Sequence, residues 1–421
     1  MKNIAILGAG VTGVTTAYAL QERGFRVSLI DRQRYAAMET SFANGGQLSA
    51  SNAEVWNSFA TVLKGIKWML KPDAPLLVNP KPSWHKYSWM AEFIAAIPKY
   101  RSGTIETTRL AIASRGHFEE WAKKEGIEFD RIKRGILHIY RDKKSYDAAA
   151  EVSNLLKEGG LERTPVNNAE MHALEPTLAG DYYGGFHTTS DFTGDIHKYS
   201  AGLAEAVARR GAAMLFETEI KDIRPENNGV SLDLSHAGED RTTHFDAIVV
   251  CAGVGSRAIA AKLGDRVNIY PVKGYSITVA LPDEESRKGA PTVSLLDEAT
   301  KIVSARMGPD RLRIAGTAEF NGYNKDIRND RIQPLIKWVR DFFPTVSTET
   351  VVPWAGLRPM MPDMLPRVAP GKLPGVFYNT GHGHLGWTLC AATAEICAEQ
   401  ILEASCKNSS IHKGTAIESA A

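Results

Sequence analysis

The sequence is short of cysteine, of net charge and of long apolar runs, and each shortage removes a class of protein. Its four cysteines are Cys251, Cys390, Cys397 and Cys406. None stands in a Cys-x-x-Cys pair or at metal-ligand spacing from a histidine, so neither a disulfide scaffold nor a metal site is indicated. Reduced thiols in a reducing compartment are expected. Lysine and arginine number 50 against 48 acidic residues, a formal charge of +2. With no basic stripe interleaved with aromatics, nucleic acid is not an expected partner. No stretch reaches the roughly 18 apolar residues of a membrane-crossing helix. The apolar run after Lys2 is short and is used as a strand, not as a signal peptide, so the expected location is the cytoplasmic side. A chain of 421 residues is long for one ordinary domain, and two intimately packed domains are the natural expectation.

What is present declares itself at the start. Ile4-Ala5-Ile6-Leu7 reads as a buried strand, Gly8-Ala9-Gly10-Val11-Thr12-Gly13 follows at once, Val14 to Arg23 has helical periodicity, and Phe25 to Ile30 is a second strand ending in Asp31. Strand, Gly-x-Gly-x-x-Gly, helix, strand and acid make up a dinucleotide-binding unit. Gly8 allows the sharp turn, Gly10 the close approach of a pyrophosphate, and Gly13 the packing of helix on sheet. The helix N-terminus offers N–H groups to phosphate, and Asp31 is placed to accept from a ribose. This motif does not separate FAD from NAD.

Further along, the small and polar loop from Arg32 to Gly46, with its core at Glu39 to Gln47, is placed for cofactor contact. Residues 55–71 predict an amphipathic helix with Trp56, Phe59, Leu63, Ile66 and Leu70 on one face, Lys64, Lys67 and Lys71 beside it, and Pro72 at its end. It either packs on the core or lies on a bilayer as a peripheral contact with the inner membrane. Helices are expected over 104–125, 145–157, 195–210 and 331–343, and from Trp387 to Ala404, followed by a flexible polar tail. Strands are expected at 135–140, 183–186, 213–217, 230–234, 245–250, 267–281, 301–306, 311–315 and 376–378. Cys251 to Ser256 and Gly381 to Gly386 are two more small-residue turns placed after strands. Cys390 and Cys397 share one helix face and read as core.

Four motifs in order give the chain a resemblance to a known family. They are Leu7-Gly8-Ala9-Gly10 with Glu39 to Gln47; Tyr270-Pro271-Val272-Lys273-Gly274-Tyr275-Ser276; Trp354-Ala355-Gly356-Leu357-Arg358-Pro359-Met360; and Asn379-Thr380-Gly381-His382-Gly383-His384-Leu385-Gly386-Trp387-Thr388. Together they resemble the small FAD-dependent subunit type of bacterial D-amino acid dehydrogenase, within the D-amino acid oxidase and glycine oxidase superfamily. The chain departs from that family at Gly45-Gly46 and at Ser49-Ala50-Ser51-Asn52, a segment that lies close to the flavin in the family.

The resemblance implies an α/β fold. A Rossmann-like FAD-binding domain is split over 1–50, 185–260 and 365–405. A substrate-binding domain of mixed β-sheet and helices spans 51–184 and 261–364, and 406–421 is a tail. It implies FAD as cofactor and oxidative deamination of a D-amino acid to a 2-oxo acid and ammonia, with electrons passed to a quinone or another acceptor than oxygen. A D-hydroxyproline or other imino acid dehydrogenase, a glycine/sarcosine-type oxidase, and a non-catalytic flavin electron-transfer subunit are the alternatives. Cofactor contacts are expected from Gly8, Ala9, Gly10, Val11, Thr12, Gly13, Asp31, Arg32, Ser41, Ala43, Asn44, Gly45, Gln47, Ile220, Ala252 and Gly253. The last turn adds Gly381, His382, Gly383, His384, Leu385, Gly386, Trp387 and Thr388. Arg358 is expected to hold the substrate carboxylate, with Tyr275 as a second hydrogen-bond donor or as a half-buried strand tyrosine. Lys273 is expected either near the flavin or solvated. His382 is carried as a catalytic candidate, and His-Gly-His lacks a third metal ligand.

Overall fold

The computed structural model describes residues 2–69 and 75–418, the side chains of 66, 68, 69 and 407–418 excepted. Its first strand, Asn3–Leu7, has Ile4, Ala5, Ile6 and Leu7 fully buried. A strand apolar on both faces belongs at the centre of a parallel sheet. It pairs in parallel with Arg26–Ile30 on one side and Ala247–Val250 on the other. The six-stranded sheet is completed by Ala213–Leu215 beyond Arg26–Ile30, and by Val376–Thr380 and then Arg367–Pro370 beyond Ala247–Val250. Strand order reverses at Asn3–Leu7. The carboxyl ends of Asn3–Leu7 and Ala247–Val250 therefore open a crevice, where ligands of such sheets bind.

The helices Val11–Glu22 and Gly386–Glu418 pack side by side on this sheet, burying Val14, Ala17, Tyr18 and Leu20 with Cys390, Ala391, Ala394 and Cys397 in one core. Gly13 permits that approach: a Cβ there would sit 1.8 Å from the Gly8 carbonyl oxygen. The last helix runs to Glu418, past the end near Ala404 that the sequence suggests. Cys251, Cys390 and Cys397 are buried free thiols and Cys406 is exposed.

The second sheet has nine strands. Its order is Val351–Met360, Tyr270–Ala280, Arg311–Phe320, Ile302–Met307, Ser294–Asp297, Ile136–Tyr140, Gly184–Thr188 and Thr164–Val166, with Leu76–Val78 added beside Arg311–Phe320. Gly184–Thr188 belongs here, so the chain returns to the first sheet later than residue 185. The helix Asn329–Phe342 covers one face through Ile332, Leu335, Trp338 and Val339, spaced three and four apart. A third, antiparallel sheet of Thr218–Glu226, Gly229–His236 and Glu239–Phe245 is attached to the nucleotide-binding layer. Only its middle strand is foreseen from sequence, because the outer two are largely exposed and charged.

The amphipathic segment is divided differently from the expectation. The helix is Phe59–Met69, with Phe59 72% and Leu63 61% exposed and Lys64 and Lys67 beside them. Trp56 precedes the helix and turns inward, its ring stacked on His384 at 4.4 Å. It does not share the Phe59 and Leu63 face. Leu70, Lys71 and Pro72 lie outside the described residues.

Candidate active site

A cavity of about 1730 Å³ is walled by both sheets and runs from the first glycine-rich turn to the last one. That volume exceeds the few hundred to a thousand Å³ of an ordinary small-ligand pocket and suits a dinucleotide together with a substrate. At the nucleotide end Gly8 takes φ +109°, and a Cβ there would lie 2.7 Å from the Cys251 carbonyl oxygen. Gly10 opens directly onto the cavity, and its nearest obstacle to a Cβ is the Ser41 hydroxyl at 3.4 Å. The helix behind it has no side-chain cap at Gly10. Ser41 Oγ accepts the Val11 N–H at 3.0 Å, so the loop after the second strand is fastened to the anion-binding end of the helix.

Asp31 lines the cavity with each carboxylate oxygen accepting one backbone N–H, from Ala9 at 2.6 Å and from Gln33 at 2.9 Å. A carboxylate has about four acceptor positions, which leaves room for ribose hydroxyls. Arg32 is held by Glu39 at 3.0 Å. Val11, Thr12, Ala43, Asn44, Gly45, Gln47, Ile220, Ala252 and Gly253 all line the cavity. Ala9, Gly13 and Gly381 do not. Ala9 is fully buried behind Asp31, Gly13 packs helix on strand, and Gly381 takes φ +79° to turn the chain beside Met361. Gln47 also ties the layers together, donating to Ser294 Oγ at 2.8 Å and to the Leu295 carbonyl at 3.1 Å. Gly45 and Gly46 have a local cause. Cβ atoms there would meet Val303, Met307 and Ala305 at 2.7–2.8 Å, so the loop can lie on the strand Ile302–Met307 only without side chains.

At the opposite end stands Arg358. Its Nη1 donates to the Thr317 carbonyl at 3.0 Å, and among the described residues no carboxylate pairs with it. Desolvation pushes the guanidinium down to about 10. The neighbouring strand makes space for it: a Cβ on Gly274 would lie 2.4 Å from Arg358 Nη2. The sequence reading did not single out this glycine.

Tyr275 is a correction. Val272 pairs with Arg358 and Tyr275 with Ala355, so alternation along the strands puts the two side chains on opposite faces of the sheet. The Tyr275 hydroxyl donates to Glu319 Oε2 at 2.6 Å in the interior. Lys273 shares that face and is fully buried. It lies 3.3 Å from Glu319 and donates to Asn324 Oδ1 at 2.8 Å, and is therefore not solvated.

The last turn brings a second correction. His382 is buried, with its Nε2 2.8 Å from Thr393 Oγ1 of the following helix. Its ring braces the turn through that contact, while the residue also lines the cavity. His384 faces the cavity under Trp56, and neither ring nitrogen meets a hydrogen-bond partner. Burial lowers both histidines to about 3, and for His384 the Arg358 charge adds to that effect, so both rings are neutral at ordinary pH. Gly383, Leu385, Gly386, Trp387 and Thr388 line the same end. The Trp387 Nε1 is buried without a partner.

A polar wall beside this end is absent from the expectations. Ser49, Ser51, Glu54, His138, Glu298 and Lys301 all line the cavity. Ser51 stands in the short turn Ala50–Asn52. Asp191 fastens that turn by accepting the Ala50 and Ser51 N–H groups at 3.0 and 2.9 Å, and Asp191 itself pairs with Arg115 at 3.0 Å. Glu54 accepts from the Tyr100 hydroxyl at 2.6 Å, and burial raises its carboxyl above the ordinary range. The one signal in the sequence was the departure at Ser49-Ala50-Ser51-Asn52. His138 and Glu298 come from strands far apart in sequence and carried no motif.

A cradle that only glycine permits, buried polar atoms left without partners, and a cavity long enough for both fit a bound dinucleotide. Comparison with known proteins says which family builds such a site. Residues 3–400 match the family model described as FAD dependent oxidoreductase, DAO. The chain is 60% identical over 398 residues to "D-amino acid dehydrogenase 3" of Mesorhizobium japonicum, covering 94% of this chain and 96% of that one. It is 37% identical over 409 residues to a D-amino acid dehydrogenase of Dechloromonas aromatica, with 94% and 96% covered. The crystal structure of glycine oxidase from Geobacillus kaustophilus superposes with a TM-score of 0.75 at 21% identity, covering 96% of this chain and 95% of that one. The chain belongs to the DAO family of FAD-dependent oxidoreductases.

Proposed function

We infer that this chain is a D-amino acid dehydrogenase, which oxidises the Cα–N bond of a D-amino acid to an imine that water converts to a 2-oxo acid and ammonia. The observation that supports this reading most directly is Arg358. It is a desolvated guanidinium facing the cavity with a single carbonyl partner. A buried cation without a counterion is costly, and an amino acid carboxylate supplies that counterion bidentately.

FAD, when bound, is the two-electron acceptor for the Cα–H bond. Gly8, Gly10, Asp31 and the helix at Val11 would hold its nucleotide half, and the Gly383–Thr388 turn its reactive half. Arg358 orients the carboxylate, while Gly274 and the Thr317 carbonyl fix the guanidinium. The neutral His384 ring and the Trp56 ring stacked on it form an uncharged wall at this end of the cavity.

Electrons then pass to a quinone or another acceptor than oxygen. The helix Phe59–Met69 supports a peripheral membrane position for that transfer. It exposes Phe59 and Leu63 beside Lys64 and Lys67, a pairing of apolar and basic groups that suits an anionic bilayer, while Ala60, Thr61 and Gly65 of the same helix line the cavity.

Arg358→Ala tests the carboxylate role. The apparent substrate constant should rise at least about 30-fold, the lower end of the 2–5 kcal/mol lost when one partner of a buried charge pair is removed, with FAD still bound. An unchanged constant removes Arg358 from that role.

A further inference from the structure

We propose that Ser51, His138 and Glu298 form a proton-accepting chain that takes the proton from the substrate ammonium before the Cα hydrogen leaves. This proposal rests on the reading of the substrate as an amino acid. Ser51 Oγ lies 3.0 Å from Ser49 Oγ and 3.0 Å from His138 Nε2. On the other side of the ring, His138 Nδ1 faces Glu298 Oε1 at 3.4 Å, and Lys301 pairs with the same carboxylate. The chain begins at the reactive end of the cavity, because the Ser49 N–H donates to Thr388 Oγ1 of the last glycine-rich turn at 3.4 Å. It ends at Lys301, which pairs with Glu298 and lines the same cavity.

The chemistry requires that an ammonium proton be removed before oxidation. The ammonium nitrogen of an amino acid zwitterion has no lone pair and cannot form C=N until one N–H bond breaks. That proton passes to Ser51 Oγ as the serine's own proton passes to His138 Nε2. The products are a free amine and an imidazolium facing the Glu298 carboxylate. When the Cα–H electron pair leaves to FAD, the oxidant of the established family chemistry, the amine lone pair becomes the second bond of C=N and the charges balance with no further reactant.

The surroundings of His138 suit the task. Burial and the Arg163 charge hold its ring neutral, while Glu298 and Asp191 favour the protonated form once it is made. Glu298, with Lys301 and His138 against it, stays ionised well below the usual carboxylate range. An ionised carboxylate 3.4 Å from the imidazole stabilises the imidazolium by its charge. Glu298 is thus a positioning residue, and Glu54 lines the same wall.

The test uses wild-type holoenzyme, His138→Gln and Glu298→Gln, each checked for FAD content and melting temperature. Ser51→Ala serves as the further variant if His138→Gln does not fold. Anaerobic flavin reduction by a D-amino acid is followed against pH. At neutral pH His138→Gln should be about 100-fold slower, the low end for acid–base assistance. It should approach wild type as the pH passes the free amine's own pKa, where substrate arrives deprotonated. A packing role alone would lower the rate equally at every pH, and that result, or an unchanged rate, overturns the relay. A second readout needs no turnover. The ¹⁵N signals of His138 should move from neutral to imidazolium positions when 2-aminoisobutyrate, which has no α-hydrogen, binds the oxidised holoenzyme. Signals that stay neutral contradict the proposal. Wild-type flavin bleached by a D-amino acid, with the same pH profile in His138→Gln, removes the relay alone, whereas no bleaching by any amino acid removes the dehydrogenase reading and the relay with it.

Discussion

Two adjacent strands decide what single residues can do here. Arg358 reaches the cavity because Gly274, on the neighbouring strand, has no Cβ. In Gly274→Ala the methyl would occupy the place of Arg358 Nη2. The expected outcome is an apparent substrate constant raised in the same direction as in Arg358→Ala, by less, with FAD content unchanged. Tyr275 sits next in sequence and on the other face of the sheet. Tyr275→Phe should leave the substrate constant within about twofold while lowering stability by about 1–3 kcal/mol, because Glu319 loses a buried donor. Equal effects of the two substitutions on substrate binding would contradict the assigned faces. From sequence, Arg358 was the expected carboxylate holder, and Tyr275 stood open between a second donor and a strand tyrosine. Only the strand register, with Val272 opposite Arg358, separates them.

At the level of elements, the glycine-rich turns and the helices they open were legible because each turn directly follows an apolar strand. Gly13, Gly8 and the turn before Trp387 needed nothing from the rest of the chain to be recognised. The polar wall was not legible. Ser51, His138 and Glu298 stand on a short turn, a central strand and a strand end that meet only after the nine-stranded sheet forms. The outer strands of the three-stranded sheet were hidden for a different reason, as charged exposed residues give a strand no apolar alternation to read. The last turn also makes a pH prediction. His382, lowered to about 3 in the folded protein, titrates near 6.5 when unfolded. The unfolded chain therefore binds a proton that the native one does not, and the His382 contribution to stability is lost as pH falls from about 6.5 toward 3. The melting temperature should decline over that window, and His382→Asn should flatten the decline. An identical slope in the variant would show that the buried imidazole does not contribute.

The whole molecule places a nucleotide crevice at the reversal point of one sheet, Arg358 on the facing edge of the other, and a helix with an exposed apolar face beside the cavity they share. No helix among the described residues is long and apolar enough to cross a membrane, and the proposed peripheral contact rests on the exposed Phe59 and Leu63 of that helix. Replacing Phe59 and Leu63 with Ser should move the protein from the membrane pellet to the supernatant without changing reduction of its flavin by substrate. Wild-type protein that never sediments with anionic vesicles would refute the contact.

The central claim is that an amino acid of one configuration delivers its Cα hydrogen to a flavin held between the two sheets. The most direct measurement is the flavin absorbance of the purified protein under anaerobic conditions on addition of matched D- and L-amino acids. Bleaching by D enantiomers, and none by their L counterparts, is the result expected. A flavin that stays oxidised with every D-amino acid, or that is bleached by the L enantiomers instead, would contradict the account.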